Sequence, residues 1–208
     1  MGLKVAMVSS WKVRCGIFTY VENLARALAN EGVEVYIVRL PRFGSKSQEI
    51  INDVAQRIPY DRVDLVHVQW EYGLFQQFEQ GFYSILKAMG KPVITTAHAV
   101  GISWAVDNFV ASSSDRVIVH NEFCKRRFPY PNVVVIPHGA KPMECPPKEK
   151  AKNALGMSDF PVVVGYLGFI GPYKGVEVLI EAMRDVKAAG LVIGGGWHTA
   201  DEPLYIQG

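Results

Sequence analysis

Two stretches carry the residue types most suited to chemistry. His98 closes Thr95-Thr96-Ala97-His98, where a polar residue ends an apolar run and the small residues Ala99-Val100-Gly101 follow. A neutral imidazole at a strand end can donate a hydrogen bond to a sugar hydroxyl or orient a carbonyl; the plainer alternative is a satisfied structural histidine. No G-x-S-x-G accompanies it, so hydrolase chemistry is unsupported. The second stretch runs from Gly165 to Gly175, with glycines at a strand end, a Pro172 turn, then Lys174 and Gly175 at a helix start. Free backbone N–H groups, a helix dipole and an ammonium converging there suit a diphosphate. The competing account is a glycine-rich turn with a solvated lysine.

Weaker signals surround these. The segment from Ser9 to Ile17 leads from an apolar run into an amphipathic one, and Gly16 lets backbone approach a phosphate or sugar, or merely caps a helix. His67, Gln69 and Glu71 alternate with Val68 and Trp70, so their side chains share one strand face and line a polar cleft or serve the fold. Gly194-Gly195-Gly196 after the last apolar run admits a ligand or marks a flexible end. Lys125-Arg126-Arg127 reads as a solvated charge run. The chain has no G-x-G-x-x-G after its first run, which disfavours a dinucleotide dehydrogenase or epimerase, and no P-loop motif. It also lacks D-x-D and any His/Glu cluster at metal-ligand spacing, so neither a catalytic metal nor a cofactor is expected.

Those residues hang on a regular framework. Val- and Ile-rich runs without polar alternation recur at 5–8, 33–38, 63–68, 93–96, 117–119, 133–136, 162–167 and 191–193. Strands covered by helices on both faces of a parallel sheet read this way. Between them, Ile17, Val21, Leu24, Ala25 and Leu28 stop at Gly32; Phe78, Phe82, Ile85, Leu86 and Met89 stop at Gly90; and Val176, Leu179, Ala182, Met183 and Val186 end near Gly190. Each set places one apolar stripe on a helix. Repeated strand and helix predict an α/β, doubly wound parallel Rossmann-like domain over 1–140. Its ligand crevice is expected where strand order reverses, between strands one and four. Residues 141–160 hold Pro142, Pro146 and Pro147 among lysines and read as a linker. Residues 161–208 hold only two strands and one clear helix, an incomplete second Rossmann-like βαβ portion.

Composition narrows the partners. Of 208 residues, 22 Lys and Arg stand against 20 Asp and Glu, a balance that does not point to nucleic acid. Three scattered cysteines without C-x-x-C spacing argue against a disulfide framework and fit a reducing cytoplasm. Neither a signal peptide nor a membrane span is legible, which leaves room for peripheral membrane contact only.

The sequence resembles retaining nucleotide-sugar glycosyltransferases of the two-domain GT-B fold, in the manner of glycosyltransferase family 4. The resemblance rests on Cys15-Gly16 where the family has a Gly-Gly turn, on Asp64-Leu65-Val66-His67-Val68-Gln69, and on the Thr-x-His end at His98. Ile136-Pro137-His138-Gly139 stands for I-P-N-G, and Gly168 through Gly175 for G-R-x-x-x-x-K-G. It implies transfer from a nucleotide-diphosphate sugar to a sugar or lipid-linked acceptor with retention, without a metal. It implies His98 as the catalytic-site residue reaching the transferred sugar, and Gly16, Gly168, Lys174 and Gly175 as donor contacts. Trp11, Phe18, Tyr20, Gln69 and Glu71 are acceptor-side candidates that match no family position. Phe169 replaces the family's phosphate arginine, and the family's pair of glutamates eight residues apart is not supplied by Glu177, Glu181 or Glu202. The expectation is therefore a hexosyltransferase truncated in its second domain and inactive alone, able to dimerise or domain-swap through an incomplete sheet. The alternative is a non-catalytic module that binds a sugar or lipid headgroup or serves assembly with another chain.

Overall fold

All eight apolar runs become parallel strands in the computed structural model, which describes residues 2–41 and 47–196. Glu202 lies outside the described residues. The chain divides into two units, Met1–Lys141 and Pro142–Gly208.

In the first unit the order along the chain is β1 (Lys4–Ser9), α1 (Gly16–Asn30), β2 (Glu34–Arg39), α2 (Gln48–Gln56), β3 (Leu65–Trp70), α3 (Tyr72–Phe75), α4 (Glu79–Ala88), β4 (Val93–Ala97), α5 (Trp104–Ser112), β5 (Arg116–Val119), α6 (Glu122–Arg127) and β6 (Val133–Val135). The strands assemble as β2-β1-β3-β4-β5-β6. This corrects the expected position of the switch: β3 pairs with the free side of β1, from Val5 opposite Leu65 to Val8 opposite Val68, so order reverses between β1 and β3. β1 and β4 are separated by β3.

Register and pleat sort the side chains onto two faces. Val8, Val68, Thr95, Val117 and Val133 lie in one row across the sheet. That face, with Ala6, Val66, Trp70, Ala97 and Val119, packs the main core beneath α2, α4 and α5, where Phe75, Phe82, Tyr83 and Leu86 are fully buried. Thr95 belongs to this face yet is satisfied: its hydroxyl pairs with Tyr83 Oη at 2.9 Å and Ser114 Oγ at 2.7 Å. The opposite face offers Met7, His67, Gln69 and Thr96, all buried, so the polar side chains share the second face.

Local chemistry starts and stops the helices. α1 begins after Cys15, whose backbone is extended, and ends where Glu31 and Gly32 donate back to Ala27 and Ala29, with Gly32 at φ +78°. α2 is capped by Ser47 Oγ, which accepts from Ile50 N at 3.3 Å, and α6 by Asn121 Oδ1, which accepts from Cys124 N at 2.8 Å.

The second unit holds α7 (Lys148–Ala154), β7 (Val162–Leu167), a 3₁₀ turn at Pro172–Lys174, α8 (Val176–Met183) and β8 (Ala189–Gly194). α7 forms inside the stretch read as linker, starting directly after Pro147, which suits a helix start. α8 ends at Met183, earlier than the apolar spacing implies, and Gly190 lies in β8, where a Cβ would meet Met157 Sδ at 2.8 Å. Its glycine serves packing rather than a helix stop. β7 and β8 pair in parallel from Val162 opposite Ala189 to Leu167 opposite Gly194. The pairing continues past the strands, with Gly168 N donating to Gly194 O and Ile170 N to Gly196 O. A Cβ on Gly195 would lie 1.8 Å from Gly168 O. Gly195→Ala is therefore expected to destabilise this unit by roughly 2 kcal/mol, read as faster hydrogen exchange at the Gly168 and Ile170 amides; unchanged exchange would refute the contact. No helix among the described residues is long and apolar enough to cross a membrane.

Candidate functional site

Parallel strands deliver the residues that follow them to one edge of the sheet, about 4.8 Å apart from strand to strand. Thr96, Ile118 and Val134 form one register row, so two residues further on His98, His120 and Ile136 stand side by side. His138 follows Ile136 by two. The result is a run of imidazoles at the carboxyl ends of β4, β5 and β6: ring centroids lie 5.3 Å apart for His98 and His120, and 5.0 Å for His120 and His138. Tyr20, on the second turn of α1, packs against all three, at 4.9 Å from His98, 5.3 Å from His120 and 4.8 Å from His138.

Hydrogen bonds set the tautomers. A carbonyl oxygen only accepts, so His98 Nε2–H donates to Gln69 Oε1 at 3.0 Å and leaves Nδ1 as the bare nitrogen. His120 Nδ1–H donates to Ile136 O at 3.2 Å, and His138 Nδ1–H to Gly139 O at 2.8 Å, leaving both Nε2 atoms bare. His120 Nε2 is buried and has no hydrogen-bond partner among the described residues; neither has Ser9 Oγ at the end of β1.

Burial favours the uncharged form of His98, His67 and His120. Desolvation, reinforced by the neighbouring His120, His138 and His67, brings His98 down to about 3. Burial lowers His67 to about 4 and also lowers His120. The Tyr20 hydroxyl, hydrogen-bonded to Thr96, is pushed up from its ordinary value by burial. His67 Nε2 meets the same Thr96 Oγ1 at 2.8 Å, so Tyr20, Thr96 and His67 form one buried polar chain.

The structure brings three of the residues singled out from the sequence together: His98, Tyr20 and Gln69. Gln69 is fully buried, with its amide spent between His98 and Met7 Sδ, 3.1 Å from Nε2, so it orients His98 rather than meeting solvent. Trp11 and Phe18 pair edge to face at 5.2 Å where the β1–α1 loop enters the helix. At Gly16 a Cβ would meet no described atom within 4 Å, leaving open space over the first turn of α1. Glu71 is half-buried at the N-terminus of α3 and makes no side-chain cap.

In the second unit Gly168 follows β7, and Gly175, at φ +65°, turns the chain from the 3₁₀ turn into α8. Only glycine adopts that backbone cheaply. Lys174 is exposed, with Nζ 4.7 Å from the Tyr173 ring centroid. Phe169, where the resemblance would have an arginine, has its carbonyl accepting from Tyr166 Oη at 2.7 Å.

His120 escaped the sequence reading, and His138 was noted only as a substitute for asparagine. Their signal was positional: like His98, each comes directly or nearly so after a Val-rich run. Among the described residues no group of His, Cys, Asp or Glu is arranged to hold a metal ion.

No protein-family model and no curated protein matches the chain. Among solved structures it is similar to HepE of Anabaena in complex with UDP and glucose, with a TM-score of 0.68 and 16% identity over 99% of this chain and 64% of that one. HepE in complex with UDP-glucose matches at a TM-score of 0.68 and 14% identity, with the same coverage. An alpha-glucosyltransferase in complex with UDP and a 13-mer DNA containing a HMU base matches at 0.57 and 11%, over all of this chain and 60% of that one. The chain thus spans 64% of the length of HepE. With its six-strand parallel sheet and a second, smaller parallel sheet, the chain has the Rossmann-like α/β fold of the GT-B architecture.

Proposed function

We propose that this chain is the acceptor-side domain and part of the donor-side domain of a glycosyltransferase that uses a nucleotide-diphosphate sugar, with UDP as the nucleotide, and transfers a hexose with retention and without a metal. The observation that carries the reading is the imidazole row at the sheet's carboxyl edge, in a fold shared with HepE bound to UDP and glucose. A bare Nδ1 on His98 accepts a hydrogen bond from a hydroxyl of the transferred sugar, and the bare Nε2 of the exposed His138 offers the same to another hydroxyl. Because burial holds His98 and His120 toward the uncharged form, they do not oppose the positive charge that develops on the sugar in an oxocarbenium-like transition state. Within the second unit Gly168, Lys174 and Gly175 serve the diphosphate; within the first, Gly16 at the start of α1 is a donor contact and Trp11 and Phe18 serve the acceptor.

Thermal shift with UDP, UDP-glucose, GDP and ADP tests this, since a ligand held at 100 times its Kd stabilises by about 2.7 kcal/mol. UDP and UDP-glucose are expected to raise Tm. Lys174→Ala should weaken UDP at least tenfold, as a charge-assisted contact is worth roughly 1.5–3 kcal/mol. His98→Ala should leave UDP affinity intact and weaken only UDP-glucose. Silence from all four nucleotides would remove the reading.

A further inference from the structure

A cavity of about 680 Å³ opens beside α3, α4 and α5, lined by none of the three imidazoles and outside every role assigned above. Its walls combine the rings of Tyr72 and Phe109 with the side chains of Gln76, Gln77 and Gln80. We infer that this groove binds a neutral, hydroxyl-rich sugar unit; its role as an acceptor subsite rests on the glycosyltransferase reading.

The lining chemistry selects that class. Each glutamine amide offers a donor pair and an acceptor, the complement of vicinal hydroxyls, and aromatic faces suit the apolar C–H side of a sugar ring. No lysine, arginine or histidine lines the groove, and the buried Glu79 does, so a phosphate or carboxylate ligand would meet no opposing charge. The volume lies within the range of small-molecule sites.

The backbone adds a second, independent mark. Gln76 and Gln77 are consecutive non-glycine residues in the left-handed region, at φ +51° and +76°. Gln76 takes the left-handed C-cap that ends α3, while Gln77 continues in that region past the cap; non-glycine residues held there cost stability and cluster at binding and active sites. Here the strained pair supplies two of the three amides.

The groove is also mechanically tied to the imidazole row. Tyr72 Oη donates to Asp107 and accepts from Ile102 N at 3.2 Å and Ser103 N at 3.4 Å, while Asp107 Oδ2 accepts from Gly101 N at 2.8 Å. These bonds fix the segment that begins at His98, whose own amide donates to Trp70 O at 2.9 Å. One short segment therefore serves both sites.

The test is a titration of the ¹⁵N-labelled 208-residue chain with methyl α-D-glucopyranoside, methyl α-D-mannopyranoside and methyl β-D-galactopyranoside, with sodium glucuronate and inorganic phosphate as anionic controls. At least one neutral glycoside is expected to shift the side-chain amides of Gln76, Gln77 and Gln80 saturably. Gln80→Ala and Gln77→Asn should weaken that response about tenfold with the rest of the spectrum unchanged. Gln77→Gly should raise Tm by a few degrees while weakening the glycoside, which a merely structural turn would not do. The inference fails if no glycoside moves these amides, or if phosphate or glucuronate moves them as strongly. UDP-glucose added to the same sample keeps the two readings apart. Nucleotide response without glycoside response overturns this groove alone, and the reverse upholds the groove while overturning the transferase reading.

Discussion

Lowering the pH from 6.5 to 4 is expected to remove about 3 kcal/mol of stability through His67 alone, since its folded value of about 4 lies roughly 2.5 below its ordinary 6.5 and each pKa unit is worth 1.36 kcal/mol. Between those two values the unfolded chain binds a proton that the folded chain refuses. Stability therefore falls as pH falls through 6.5, and the loss is complete only below the folded value. The cause is burial: His67 is 8% exposed, and its ring nitrogen is committed to Thr96 Oγ1. His98, held lower still at about 3, acts in the same direction with a share at least as large, and the burial of His120 adds to it. Carboxylates titrate in the same window, so the measurement is a difference. Urea unfolding of the native chain and of His67→Gln, which keeps a polar partner for Thr96, is followed at pH 7, 6, 5 and 4. The native curve should drop more steeply, by close to one proton between pH 6 and pH 5; parallel curves would show that His67 does not carry the effect.

That dependence was only partly legible in the sequence. All eight strands could be read, because a strand covered on both faces carries few polar residues and announces itself as an apolar run, as in 5–8, and the half-exposed β7 still keeps the Val-rich run 162–167. Strand order could not. Whether β3 lies beside β1 or further out depends on which side of β1 the crossover through α2 lands, and nothing in Leu65–Trp70 records that choice. The polar alternation of His67, Gln69 and Glu71 identified a special face, but not that Gln69 would be fully buried and spent on His98. The imidazole row was harder still. His98, His120 and His138 are 22 and 18 residues apart along the chain, and only pairing of β4, β5 and β6 in register makes them neighbours. Gly190 resembles a helix stop because it follows an apolar helical stripe, whereas its cause is the crowding of Met157 and Phe160 against β8.

Asp107→Ala is expected to cost about 3 kcal/mol, the penalty for leaving buried donors without their acceptor. Asp107 is fully buried on α5 and takes bonds from Tyr72 Oη and Gly101 N, while Tyr72 Oη in turn accepts from Ile102 N and Ser103 N. Burial and the Asp107 carboxylate together push the Tyr72 hydroxyl up to about 12, so it remains a donor throughout the usable pH range. Asp107→Asn retains one acceptor oxygen but sets an amide NH₂ against the second donor, and its cost should be roughly 1–2 kcal/mol. Tyr72→Phe tests the same bond from the other end, and the double variant with Asp107→Ala should lose at least about 1 kcal/mol less than the two single losses added together. The exposed ion pairs give the contrast: Arg57 and Asp53, 2.9 Å apart on one helix face and each 60% exposed, should contribute less than about 0.5 kcal/mol. Chemical denaturation of the variants, with amide exchange at residues 98–103, decides the matter. If Asp107→Ala loosened no more than Arg57→Ala does, the segment between His98 and α5 would be held by something other than this network, and neither site could owe its geometry to it.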